Sequence, residues 1–296
     1  MLEFRPIEIT DRTEIEEYTA QSDYQSCEYA FTNLFIWRQH YHTSFAVQDG
    51  ALFIRNYYNG MHYYFFPAGA GDKAAAIRKI MAHAADHPYR ISLMSAQQKQ
   101  VMESLFPGQF LYTPERDAYE YIYNAGDLID LPGRKYHGKR NHISAFSKQY
   151  DWRYAALTAG NVNDIRQCAN EWYAENEARA DKYLLCEKRG VEIMLQNAAA
   201  LKIRGGIIYI GEKAVAFTLG SAVNRDVFDI HIEKSLAEYA EGYTVINREF
   251  AANELADYKY INREDDMGLD GLRQAKLSYH PAVMVKKYSA VKKVTE

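Results

Sequence analysis

The sequence predicts a mixed-sheet α/β (α+β) fold used twice in one chain. Three observations point there. The same run of elements recurs in each half, its strands are joined by tight turns, and 296 residues suit two domains of ordinary size better than one.

In the first half, Ala30, Leu34, Trp37 and Tyr41 recur at i, i+4, i+7 and i+11, which marks a helix over about 27–41. Strands follow near 43–48, 51–58 and 61–66, joined by Asp49-Gly50 and Asn59-Gly60. Such pairs close antiparallel hairpins because both turn residues tolerate positive φ. A helix then starts at Asp72 as N-cap, with Ile77, Ile80, Met81 and Ala84 on one face. The second half repeats the order. Ile165, Cys168, Ala169 and Trp172 mark one helix, and Val191, Met194, Leu195 and Ala198 another. Strands near 207–210, 214–222 and 226–232 are joined by Gly211-Glu212-Lys213 and Asn224-Arg225, and a helix spans about 233–241. Beyond it the pattern reads strand 243–247, helix 248–256, strand 258–262, helix 269–276 and a strand around 281–288. That alternation requires parallel crossovers with helices packed on the sheet. Leu131-Pro132-Gly133 breaks structure, so residues 1–150 form one domain, ending in a basic bridging helix over 134–150, and 151–296 form the other. Helix, three-stranded meander, helix is the core order of the GNAT (acyl-CoA N-acyltransferase) fold. Two tandem GNAT-like domains are therefore expected.

Apolar residues make up 48% of the chain and charged residues 25%, enough to bury real cores. No apolar run approaches the roughly 18–20 residues that span a bilayer, so an integral membrane protein is not expected. The N-terminus lacks a basic segment followed by an apolar one, the mark of a signal peptide. Cys27, Cys168 and Cys186 are odd in number and widely spaced, as suits reduced thiols in a cytoplasmic protein. The net charge of −4 hides an asymmetry. Residues 134–153 hold six Lys/Arg against one acid, and 272–293 hold six more with none. Such clusters suit a polyanion or other anionic ligand on an otherwise acidic body; solvated faces are the alternative. The 25 tyrosines, dense at Tyr57, Tyr58, Tyr63 and Tyr64, read chiefly as cross-strand packing, with base stacking the lesser alternative.

Period-2 alternation along 226–233 puts Phe228, Ile230 and Ile232 on one face and Asp229, His231 and Glu233 on the other. An amine attacking an activated acyl group must lose a proton, which His231 or Glu233 could accept. A solvated strand or a structural Asp–His pair is the competing reading. Ile-Asn-Arg-Glu occurs at 246–249 and 261–264, each at an expected strand end, where open α/β sheets place ligands. Asn262 and Arg263 are the candidates there, since a guanidinium can fork onto a carboxylate or phosphate. For the first copy, a helix cap at Asn247 and an Arg248–Glu249 surface pair is the preferred reading. Ala68-Gly69-Ala70-Gly71-Asp72 enters a helix where a coenzyme A pyrophosphate could sit on backbone N–H groups. The second meander has no such loop. No nucleotide-hydrolysis or serine-hydrolase motif is present, and no ligand spacing suggests a metal.

Tyr119-Glu120-Tyr121-Ile122-Tyr123, the stretch from Leu131 to Ile143, and the stretch from Asn262 to Pro281 (Asn-Arg-Glu-Asp-Asp-Met-Gly-Leu-Asp-Gly-Leu-Arg-Gln-Ala-Lys-Leu-Ser-Tyr-His-Pro) resemble a bacterial family. That family is similar to the C-terminal catalytic domain of phosphatidylglycerol lysyltransferases and, more distantly, to FemABX peptidyltransferases. The resemblance covers nearly the whole chain. It implies tandem GNAT-like domains and transfer of an aminoacyl group from charged tRNA to an amine or hydroxyl acceptor. It makes the basic segment with Arg134, Lys135, Lys139 and Arg140 a contact for tRNA or another polyanion, Arg273 and Lys276 contacts near the acyl donor, and Tyr279 a residue of the cleft. The membrane-embedded half of the full-length lysyltransferases is absent from this sequence. The acceptor could thus be a small molecule, a peptide or a lipid, and the donor an aminoacyl-tRNA or a coenzyme A thioester. Two other readings stand beside the transferase: a non-catalytic GNAT-fold module that binds tRNA or another polyanion, and an acetyl-CoA-dependent acetyltransferase.

Overall fold

A computed structural model describes residues 2–22, 24–179 and 181–293. The chain divides into two compact units, Met1–Tyr121 with Glu264–Lys276 and Val283–Glu296, and Ile122–Arg263 with Leu277–Ala282.

The first unit runs β1 (Arg5–Pro6), α1 (Arg12–Ala20), α2 (Phe31–Trp37), β2 (Ser44–Gln48), β3 (Ala51–Tyr58), β4 (Met61–Tyr64), α3 (Lys73–His83), β5 (Tyr89–Ser95), α4 (Ala96–Leu105) and β6 (Phe110–Pro114). Both hairpin turns have the expected positive φ, at Asp49 and Gly50 and again at Asn59 and Gly60. The sheet order is β1-β2-β3-β4-β5, then the late strand Lys287–Lys292, then β6. β4 and β5 run parallel, which the α3 crossover requires. The core gathers Phe53, Tyr64, Ile77, Ile80, Ile91, Met94 and Met102 under α3 and α4. The helix expected over 27–41 is shorter: a 3-10 turn at Cys27–Tyr29 leads into α2, which ends at Trp37.

The second unit takes up the chain within β7 (Glu120–Asn124) and continues through α5 (Ala125–Asp130), α6 (His137–Gln149), β8 (Trp152–Ala156), α7 (Val162–Glu175), α8 (Lys182–Gln196), β9 (Arg204–Ile210), β10 (Lys213–Ala222), β11 (Val227–Ser235), α9 (Gly242–Glu254) and β12 (Tyr260–Asn262). Its strands lie in the order β7-β12-β11-β10-β9-β8. The basic helix α6 is anchored through Phe146, 1% exposed, in the core formed by Ile208, Val215, Ala216, Val245 and Ile246. Truncating an aromatic so buried costs about 3–5 kcal/mol.

Two sequence expectations fail here. Residues 233–235 continue β11 instead of opening a helix, and the strand expected at 243–247 is the first part of α9. Thr244-Val245-Ile246 is a β-branched run that favours a strand locally. Burial decides otherwise, because Val245, Ile246, Phe250 and Ala251 all point into the core from a helix. Gly242 permits the close approach, since a Cβ there would lie 2.4 Å from Ser235 Oγ. The strand expected around 281–288 is two, Val283–Val285 and Lys287–Lys292.

Candidate functional site

In the second unit β11 and β12 pair in parallel from Val227↔Tyr260 to Asp229↔Asn262, and β12 ends there. β11 continues to Ser235 against β10 alone of these neighbours. A parallel pair that parts in this way leaves a slot between the strand ends, where such sheets place ligands. Glu233 and Arg263 meet in it. Arg263 donates to Glu233 Oε1 at 2.6 Å, and Asn247 Nδ2 donates to Oε2 at 2.8 Å. Both members of the ion pair are nearly enclosed, with side chains 12% and 9% exposed.

Aromatic rings finish the slot. The Arg263 guanidinium lies 4.7 Å from the Tyr279 ring centre and 5.8 Å from that of Tyr123. Lys139, from the first turns of α6, sets its ammonium 3.8 Å from the same Tyr279 ring. Two cations therefore lie against one aromatic ring beside a single carboxylate. Burial, then the neighbouring Arg263, lowers the Lys139 pKa to about 8 against the opposing pull of Glu233. Burial works against the Arg263 charge too, but Glu233 and the two tyrosines outweigh it and raise its pKa. Tyr136, fully buried, donates to the Tyr279 carbonyl at 2.9 Å and so ties the start of α6 to the tyrosine that receives Lys139.

The remaining expected residues fall in different places. Asp229 and His231 share a face as alternation requires, with His231 Nδ1 3.2 Å from Asp229 Oδ2, and Ser221 Oγ lies 2.9 Å from His231 Nε2. Their side chains are 0–1% exposed, so this Ser–His–Asp line is an internal polar network of the sheet. Asn262 is fully buried in β12. Of the basic segment, Arg134 and Lys135 are exposed, whereas Arg140 donates to the carbonyls of Leu131 and Gly133 and closes the turn before α6. Asn247 and Tyr123 complete the slot although the sequence reading gave them no site role. The first Ile-Asn-Arg-Glu copy pointed at Asn247, but as a helix cap.

Arg273 and Lys276 belong to the first unit. Arg273 holds Asp266 through Nε and a terminal nitrogen at 3.0 and 2.8 Å and reaches Asp117 at 2.8 Å. Tyr121, Arg116 and the Gly268 N–H also donate to Asp266. Burial alone would raise that carboxyl, and these donors hold it well below the usual range instead. Lys276 donates to the Asp265 carbonyl. Burial raises the Asp265 pKa to about 7 although Lys276 opposes the shift. Lys287 is fully buried between Glu28 and Glu120. Cys27, Glu28 and Glu120 are close enough to hold a metal, but the Lys287 ammonium already lies between the two carboxylates. Three of the six cations of the second basic cluster are thus engaged internally, whereas Lys286, Lys292 and Lys293 are exposed.

The first unit has the equivalent parallel pair, β4 with β5, registered from His62↔Tyr89 to Tyr64↔Ile91. The chain beyond β4 is stoppered by its own tyrosines. Tyr29 donates to the Phe66 carbonyl at 2.9 Å, Tyr24 to the Pro67 carbonyl at 3.1 Å, and Gln98 to the Tyr29 hydroxyl at 3.3 Å. The glycine loop is also engaged. Gly69, Ala70 and Gly71 N–H groups donate to Ser22, Gln21 and Gly50, and Asp72 caps Ala74 and Ala75. A Cβ at Gly69 or Gly71 would lie 2.5 Å from a carbonyl oxygen of the first hairpin turn. These glycines serve close packing against that hairpin.

Residues 19–291 match the family described as phosphatidylglycerol lysyltransferase, C-terminal. The chain belongs to this family. Among solved structures, a conserved protein of unknown function from Bacteroides thetaiotaomicron is similar over 99% of this chain and 100% of its own, at 35% identity and a TM-score of 0.95. The C-terminal domain of a candidate lysylphosphatidylglycerol synthetase from Agrobacterium fabrum is similar over 97% and 93%, at 12% identity and a TM-score of 0.68. FemX matches over 97% of each chain at 8% identity and a TM-score of 0.59. Two mixed α/β sheets are therefore the fold that this chain shares with these structures. An uncharacterized protein of Mycoplasmoides gallisepticum is 24% identical over 171 residues, and the match spans 54% of that relative's length. Among the described residues no helix is long and apolar enough to cross a membrane.

Proposed function

We propose that the chain moves an aminoacyl group from charged tRNA to an amine or hydroxyl acceptor, using the slot of the second unit. The observation that supports this most is the pairing of Lys139 and Arg263 on the Tyr279 ring beside Glu233. Attack on an aminoacyl ester forms a bond from the acceptor atom to the carbonyl carbon and gathers negative charge on the carbonyl oxygen. Two fixed cations in a poorly solvated slot stabilise that charge with little reorganisation. Collapse breaks the bond to the tRNA ribose oxygen, which takes a proton as the acceptor gives one up. A lysine whose pKa is about 8 can make that exchange near neutral pH. Glu233, locked on Arg263 and Asn247, orients the guanidinium.

Arg134 and Lys135, exposed before α6, are the contacts assigned to the tRNA backbone. The self-stoppered slot of the first unit favours the second unit as the seat of chemistry. The names of the relatives suggest a lysyl donor and phosphatidylglycerol as acceptor, and both are carried as the finer form of this proposal. The test offers tRNA charged with labelled lysine or alanine to the full chain. Acceptors are supplied as vesicles with phosphatidylglycerol, as free amines, or as peptides. Transfer that requires Arg263 supports the reading. Salt-dependent tRNA binding with no transfer to any acceptor makes the chain a binding module instead.

A further inference from the structure

In the first unit three histidines meet at one end of the sheet. His62 lies on β4, His83 in the last turn of α3, and His87 in the turn that follows it. The His62 and His87 ring centres are 4.8 Å apart, and those of His83 and His87 6.1 Å. A divalent ion about 2.0–2.1 Å from an imidazole nitrogen sits roughly 3.2 Å from the ring centre, so tetrahedrally placed ligand rings lie about 5 Å apart. The observed spacings bracket that value.

Two further observations point to a ligand. His62 Nδ1 is buried without a hydrogen-bond partner. His83 Nδ1 lies 2.8 Å from the Tyr64 hydroxyl, which leaves Nε2 as the nitrogen available to a metal. When Nε2 ligates, Nδ1–H donates to the tyrosine, the outer hydrogen bond that ligating histidines characteristically make. All three residues are partly exposed, so an ion can reach them. We propose that His62, His83 and His87 form a binding site for a borderline divalent transition metal such as Zn2+, oriented by Tyr64.

Burial, then Arg55, together with the other imidazoles, lowers the pKa of His62 and His83. The shift favours the neutral form of these two rings, which is the form that ligates. Arg55 also repels a bound cation, which sets the affinity below that of an acid-lined site. Among the described residues the groups whose donor atoms already lie within 4.8 Å of one another are elsewhere. A rotation of at least one imidazole therefore accompanies uptake.

The test titrates the metal-free full chain with ZnCl2 by calorimetry at pH 7.5, and repeats the titration with Co2+ to read its visible absorption. The site predicts one equivalent of saturable binding and a tetrahedral Co2+ spectrum. His62→Ala or His87→Ala should weaken binding at least tenfold, Tyr64→Phe about tenfold, and His142→Ala on the exposed face of α6 not at all. His62→Gln, which keeps the bulk of the ring position, guards against a loss caused by misfolding. Absence of saturable uptake, or affinity unchanged in both His62→Gln and His87→Ala, overturns the proposal.

Discussion

Replacing Glu233 by Gln removes the charge opposite Arg263 while keeping the side-chain shape and an oxygen for Asn247. The pair is 2.6 Å apart, with side chains 9% and 12% exposed, so solvent compensates little. Removing one partner of such a buried pair leaves an uncompensated charge, at a cost of about 3 kcal/mol. For a unit of this size that corresponds to a Tm roughly 6–12 °C lower. Arg263→Met alone should cost less, because Glu233 keeps its hydrogen bond from Asn247. The double variant should recover most of the loss, since with both charges gone no uncompensated charge is left buried. Urea unfolding of the four proteins, followed by circular dichroism, gives the coupling directly. A coupling energy of about 2 kcal/mol is expected. Additivity within about 0.5 kcal/mol would refute a buried, energetically linked pair.

Further outcomes follow from the same geometry. If the Lys139 ammonium is the form that works, the transfer rate should fall about tenfold per pH unit above pH ~8, and Lys139→Gln should flatten that limb. His62 and His83 have folded pKa values lowered below the ordinary 6.5, so the unfolded chain binds more protons just under that pH. Stability should therefore be full above about pH 6.5 and decline as pH falls through that value; a histidine-independent acid limb in His62→Gln/His83→Gln would contradict this. Arg134→Ser and Lys135→Ser should each reduce the salt slope of tRNA binding by about 1 without changing the melting temperature. Arg140→Ser should chiefly lower stability, because that guanidinium holds the carbonyls of Leu131 and Gly133.

The repeated meanders were legible because Asp49-Gly50 and Asn59-Gly60 impose both turn geometry and register. Alternation gave the faces of β11 only as far as His231: Asp229 and His231 do meet, but a register shift opposite Leu219 and Gly220 turns Glu233 to the other face, away from them. Exposure was not legible, because period-2 spacing says which residues share a face and not what covers it. The Thr244-Val245-Ile246 run misled for a related reason, as tertiary burial overrode β propensity. Charge counting in 272–293 found the cations but not their partners. Asp266, just outside the segment, takes up Arg273, and Glu28 and Glu120, far away in sequence, consume Lys287. By charge alone Lys139 is one of four basic residues in its segment, yet it turns in over Tyr279, 140 positions later. Only the folded chain brings that aromatic face to α6.

The central claim is that the Arg263–Glu233–Lys139 slot performs aminoacyl transfer. It is tested most directly by single-turnover loss of label from aminoacyl-tRNA, comparing the native chain with Arg263→Met and Lys139→Gln at equal tRNA occupancy. The slot predicts acceptor-dependent transfer by the native chain, and a rate reduced at least a hundredfold in Arg263→Met with tRNA still bound. Transfer that proceeds undiminished in both variants would contradict it.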